Sequence, residues 1–147
     1  MRILVINGPN LNMLGIREPD IYGRETYESL CRKIREHAGK RGIEVTLFQS
    51  NHEGALVDAI QSAYGREDGI VINPGAYTHT SIAILDAMKA VGIRAVEVHI
   101  SDIQSREDFR KVSVTAPACH KQIYGHGLKG YLEAMDYAKD AVLNSKQ

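Results

Sequence analysis

ILVINGPN, Ile3 to Asn10, is the stretch whose reading decides the fold. Ile3–Ile6 is too short for a helix, rich in β-branched residues, and apolar without alternation. Those properties suit a strand covered on both faces. The run then stops at Asn7-Gly8-Pro9-Asn10, a turn signal. The pattern returns three times: Val45–Phe48 runs into Gln49-Ser50-Asn51-His52, Ile70–Ile72 into Asn73-Pro74-Gly75, and Ala95–Ile100 carries His99-Ile100-Ser101-Asp102 at its end. A weaker fifth strand falls near Gln122–Tyr124. Helical patterns lie between them at Thr26–Lys40, Glu53–Tyr64, Thr80–Val91 and Lys129–Leu143, and Gly42, Gly65 and Gly92 stand where helix C-termini want glycine.

Strands alternating with helices imply a parallel sheet, and right-handed crossovers put helices on both of its faces. The expectation is an α/β three-layer sandwich of flavodoxin-like type, a five-stranded parallel sheet of order 2-1-3-4-5, with residues 1–147 forming one domain. The composition agrees: 147 residues, 44% apolar and 24% charged, are ordinary globular values. Eighteen basic and eighteen acidic side chains cancel, which argues against nucleic acid or an anionic membrane as partner. A small-molecule ligand recognised by a local pocket is expected instead. Cys31 reads as core and Cys119 as a free thiol in a loop. The opening run lacks the pattern of a secretory signal and no segment is long enough to span a bilayer, so the reading is cytoplasmic. The scattered histidines show no metal-ligand spacing, His120 and His126 near Cys119 being the one exception to weigh, and the loop after the first strand has neither a dinucleotide nor a P-loop glycine pattern, so neither a metal nor a nucleotide cofactor is expected.

In an open parallel sheet the carboxyl ends of the strands form the ligand-binding edge. The four polar clusters are therefore expected to meet around one pocket. The connection NGPNLNMLGIREPDIYG, Asn7 to Gly23, adds to them. It opens a loop of roughly eighteen residues where about two to six are usual. It holds Asn10, Arg17 and Tyr22, and Leu11, Met13, Leu14, Ile16 and Ile21 make it too apolar for a disordered excursion; a lid or binding loop fits best. Glu97 and His99, two apart on a strand, share a face, and a carboxylate in a central strand needs a partner. They make either an internal ion pair or a functional one, and the position at the strand end favours function. His79 stands where a helix should begin, with Thr78 or Thr80 as N-cap. Asn73 is placed to orient a ligand. Arg106 and Arg110 read as one face of a short helical turn, with Glu107 and Asp108 as default surface partners.

NGPNLN, REP followed by YG, FQSN, NPGAYTHTS, EVHISDIQSREDF and the closing GxGxxGY from Gly125 to Tyr131 occur in order, and the chain resembles the type II 3-dehydroquinate dehydratases end to end. The resemblance implies a reversible dehydration of 3-dehydroquinate to 3-dehydroshikimate, in the shikimate pathway or in quinate breakdown, with no metal, no cofactor and no covalent intermediate. It implies Tyr22 as general base with Arg17 as its partner, and His99 as general acid oriented by Glu97. It also implies Asn10, with a water, as stabiliser of the enolate. Asn73, Gly75, His79, Arg106, Arg110 and the backbone of Ile100 and Ser101 are implied to bind substrate, with Asp86 reaching a neighbouring subunit's site in a dodecamer built from trimers. A receiver domain would want acidic residues where Asn7 and Asn73 stand, and a flavin carrier a Ser/Thr-rich first loop; neither is present.

The chemistry suits these residue types. Free tyrosine titrates near about 10, and lowering that by ~2–3 takes about 3–4 kcal/mol. One guanidinium at ~4 Å supplies about 4 kcal/mol at an effective dielectric of ~20. Asp102 stands where the family commonly has asparagine, and an added negative charge there is expected to weaken substrate binding unless Arg106 neutralises it. The segment Ala118-Cys119-His120-Lys121 and His126 are also unusual, and are expected to touch subunit packing rather than chemistry.

Overall fold

The computed structural model describes residues 1–16, 20 and 24–146. Arg17 and Tyr22 lie outside the described residues. The strands are β1 (Arg2–Asn7), β2 (Glu44–Gln49), β3 (Gly69–Asn73), β4 (Arg94–His99) and β5 (Lys121–Tyr124); the helices are α1 (Tyr27–Arg41), α2 (Glu53–Ser62), α3 (Ile82–Val91) and α4 (Lys129–Ser145). All strand pairs are parallel and the order is β2-β1-β3-β4-β5.

The continuous apolar runs fill two cores. Ile3 and Val5, with Val71, Val96 and Val98, pack with buried residues of α1 and α4. Leu4 and Ile6, with Ile70, Ile72 and Ala95, pack with buried residues of α2 and α3. Each fully buried aliphatic side chain contributes about 1.5–3 kcal/mol, so a one-residue slip of any central strand is strongly opposed.

Local signals set the ends. Thr26 caps α1, its Oγ1 accepting the Ser29 N–H at 3.1 Å, and Gly42 closes the helix at φ 68°. The N-cap of α3 is Ser81, not Thr78 or Thr80. Pro74-Gly75 first turn the chain into a 3-10 helix over Gly75–His79, which delays α3 and frees Thr78 to point into the protein. Helix α2 stops at Ser62, short of Tyr64, and the chain turns at Gly65, φ 75°.

The β4–β5 connection holds no α-helix. Three 3-10 turns, Ile103–Ser105, Asp108–Arg110 and Ala116–Ala118, replace it. Arg106 and Arg110 therefore do not share one helical face; extended backbone at Arg106 and Glu107 separates their turns.

Candidate active site

Two close approaches shape the carboxyl edge. The Gly8 N–H donates to the Asn73 carbonyl at 2.8 Å, and a Cβ at Gly8 would lie 2.4 Å from the Pro74 oxygen. Gly75, at φ 60°, would bring a Cβ within 3.1 Å of the Pro9 oxygen. The loops after β1 and β3 interlock because both glycines lack side chains. Beside them lies a cavity of about 120 Å³. Asn10 lines it from the first loop, Asn73, Gly75 and His79 from the third, and His99, Ile100, Ser101, Arg106 and Arg110 from the fourth.

Three of the four polar clusters thus converge. The cluster after β2 does not line the cavity and instead braces the first loop. Asn51 Oδ1 accepts the Asn10 N–H at 3.0 Å, and Gln49 Nε2 lies 3.2 Å from both Asn51 Oδ1 and the Gly8 carbonyl. That support holds Asn10 at φ 70°, a left-handed conformation that asparagine tolerates better than most residues.

Glu97 is wholly buried and His99 nearly so. His99 Nε2 lies 2.9 Å from Glu97 Oε2. Ser113 Oγ and Gln122 Nε2 each donate to the same oxygen at 2.8 Å, and Thr115 donates its hydroxyl to Oε1. Burial alone would raise the Glu97 carboxyl. The bond and charge of His99, with the hydroxyls of Thr115 and Ser113, outweigh burial and hold it below the ordinary glutamate range. An ionised Glu97 makes Nε2 the protonated nitrogen of a neutral His99. Nδ1 has no partner among the described residues.

A second buried network sits at the ends of β1 and β3, where Asn7 and Asn73 are in register. The Tyr131 hydroxyl donates to Asn7 Oδ1 at 2.6 Å and accepts from Asn73 Nδ2 at 2.9 Å. Asn73 Oδ1 accepts the Gly75 N–H at 3.0 Å, and Asn7 Nδ2 reaches the Tyr27 hydroxyl at 3.4 Å. One of the two Nδ2 hydrogens of Asn73 remains for the cavity.

His79 Nδ1 lies 2.7 Å from the Val112 carbonyl and so donates to it, leaving Nε2 as an acceptor on the neutral ring. Arg106 Nη1 donates to Ser101 Oγ at 3.3 Å. Glu107 sits between the arginines, 3.8 Å from Arg106 Nε and 3.1 Å from Arg110 Nε. The pairing expected from the sequence is therefore present for Glu107 but not for Asp108, which pairs with Lys111 at 3.1 Å, and both arginines line the cavity as well. Asp86 stands exposed on α3, outside this chain's cavity. Asp102 is also outside it: its carboxylate accepts the Gln104 N–H at 2.9 Å and caps a 3-10 turn. Burial, with the Glu97 charge adding to it, pushes the Cys119 thiol up to about 12, so it is not a reactive thiolate at neutral pH. Among the described residues no three His, Cys, Asp or Glu side chains are grouped as a metal ion would require, and no helix is long and apolar enough to cross a membrane.

Known proteins share this fold and much of this sequence. The family model described as dehydroquinase class II matches residues 1–139. The chain belongs to the class II dehydroquinase family. A protein named 3-dehydroquinate dehydratase from Clostridium acetobutylicum is 58% identical over 140 residues, covering 95% of this chain and 97% of its own. The crystal structure of a type II dehydroquinase from Butyrivibrio crossotus DSM 2876 matches with a TM-score of 0.93 at 59% identity, covering 95% of this chain and 97% of that one. One from Propionibacterium acnes matches at 0.91 and 41% identity, with the same coverage.

Ser113, Thr115, Gln122 and Tyr131 support the site and were not among the residues expected from the sequence. The sequence signalled the need for the first three but not their identity. A glutamate on a buried strand must find donors, and Ser113 and Thr115 are hydroxyls two apart in an irregular segment.

Proposed function

We propose that this chain catalyses the reversible dehydration of 3-dehydroquinate to 3-dehydroshikimate, an anti elimination of water through an enolate, within the shikimate pathway. The observation that carries the reading is the buried His99–Glu97 pair opening on a cavity made by three strand ends. The relatives named 3-dehydroquinate dehydratase support it.

On this reading Tyr22 removes the proton α to the ketone, with Arg17 lowering its pKa by placing a positive charge beside the phenolate. Negative charge builds on the ketone oxygen, where Asn10 and a water donate hydrogen bonds. His99 then protonates the departing hydroxyl, and water leaves. Glu97 holds the ring and favours its charged form. The spare Nδ2 hydrogen of Asn73, His79 and Arg110 bind substrate hydroxyls, with Gly75 beside them. The amides of Ile100 and Ser101 take the substrate carboxylate, and Arg106 closes the lid side. With Asp102 spent on a turn cap outside the cavity, its charge is a small burden on that carboxylate. The reading needs no metal or cofactor. It places the enzyme in the cytoplasm as a dodecamer of trimers, in which Asp86 of α3 reaches a neighbouring subunit's site.

The test is the ultraviolet absorbance of the conjugated enone formed from 3-dehydroquinate in buffer containing a chelator. The wild-type chain should form it, and Tyr22→Phe should lower kcat by roughly 10²–10⁴-fold. No absorbance change with the wild type would refute the activity, and full activity in Tyr22→Phe would refute the base.

A further inference from the structure

Glu97 accepts four hydrogen bonds, three more than its histidine needs. The protons in this cluster can be assigned one by one. Ser113 and Thr115 each have a single hydroxyl proton and spend it on Glu97. Thr78 Oγ1 lies 2.7 Å from Ser113 Oγ and 2.9 Å from Thr115 Oγ1, and with both of those protons committed to Glu97 its single hydroxyl proton is shared between the two oxygens. Ser113 Oγ also accepts the Ala116 N–H at 3.0 Å. Gln122, opposite Glu97 in the β4–β5 register, presents its amide nitrogen. Four donors thus point at one carboxylate, and Thr78 and the Ala116 N–H stand behind the two hydroxyls among them. Protonating Glu97 would force one of these donors to reverse, and for Ser113 or Thr115 the Thr78 hydroxyl behind it would have to reverse as well.

We propose that Ser113, Thr115 and Gln122 are positioning residues that keep Glu97 an acceptor only, so that Nε2 of His99 never gives up its proton and the ring exchanges protons with substrate at Nδ1. This deepens the reading of His99 as the acid and rests on it. The other titratable groups near the pair, among the described residues, come from each element packed around it. His79, Arg106 and Arg110 share the cavity with His99, Tyr124 is its register neighbour on β5, and Cys119 adjoins Glu97. The cradle contains none of these, so it can be altered without changing any charge.

The sign of the effect follows from the cradle. Its dipoles stabilise the carboxylate most when His99 is neutral, because no cation then helps. Removing a donor therefore raises the pH at which the pair loses its proton.

The experiment is an NMR titration of the full chain labelled with ¹⁵N-histidine, alongside pH profiles of kcat. In the wild type the neutral His99 ring should carry its proton on Nε2; an Nδ1–H tautomer would overturn the proposal. In Thr115→Val and Ser113→Ala the ring titration and the alkaline limb of kcat should both move up by about 0.5–1 pH unit. In those variants kcat should fall by roughly ten-fold while KM stays within about two-fold. Thr115→Ser, which keeps the hydroxyl, should restore both. A lowered melting temperature with an unmoved ring titration would show a merely structural role and overturn the proposal. A ring titration that moves while the alkaline limb stays put would support the cradle and instead sink the assignment of His99 as the acid.

Discussion

The ends of β1 and β3 and the end of β4 both bury polar side chains at the same edge of the sheet, but they do so in opposite electrical styles. Asn7, Asn73, Tyr27 and Tyr131 form a neutral network of matched donors and acceptors. Glu97 and His99 place a charge in the protein and surround it with donors. A neutral network holds shape, because each group fixes the orientation of the next. A charged one holds a protonation state as well, which is what the acid role proposed for His99 needs. The two meet at the cavity, where the first presents Asn73 and the second His99.

The sharpest way to break this contrast is to delete one member of each side. His99→Ala should lower kcat by roughly 10²–10⁴-fold. Tyr131→Phe leaves Asn7 Oδ1 and Asn73 Nδ2 without their buried partner and should cost about 1–3 kcal/mol of stability. It should also raise KM several-fold by freeing the Asn73 amide to flip, with kcat less affected. Steady-state kinetics and denaturant titration on both variants check this. A kcat loss in Tyr131→Phe equal to that of His99→Ala would erase the division of labour.

A smaller effect lies in the pH dependence of stability. The Glu97 carboxyl is lower in the folded chain than its ordinary 4.5, so its contribution is present above that value and is lost as pH falls through the folded one. The phenols run the other way. Burial raises Tyr131, and burial likewise raises Tyr27 from 10.0 to about 12; their contribution is present below about 10 and is lost as pH rises. Melting temperatures across pH should show the acid-side decline weakened by Glu97→Gln and the alkaline-side decline weakened by Tyr131→Phe.

Most of the fold was legible in the sequence because each strand is a buried apolar run with a polar stop, and because Thr26, Gly42 and Gly92 mark helix ends by their local chemistry. The start of α3 was not, since a 3-10 turn after Pro74 moved the cap from Thr78 or Thr80 to Ser81, and propensity does not encode that delay. The cavity residues Asn10, Asn73, His79, His99, Arg106 and Arg110 were legible as strand-end polar groups or motif matches. Their supports were not. Tyr131 lies on α4, far in sequence from Asn7, and Ser113 and Thr115 sit in a connection with no periodicity to read. Gln49 and Asn51 were legible as polar but not as a brace, because the edge position of β2 turns its end toward the first loop and not into the cavity.

The most direct measurement is a ¹³C NMR titration of the Glu97 carboxylate in the folded full chain, assigned by its loss in Glu97→Gln. The carboxylate should stay ionised from neutral pH to below 4.5 for as long as the chain remains folded. A carboxylate that takes up a proton above that value, with the chain still folded, would contradict the picture of a charge held in place by four donors.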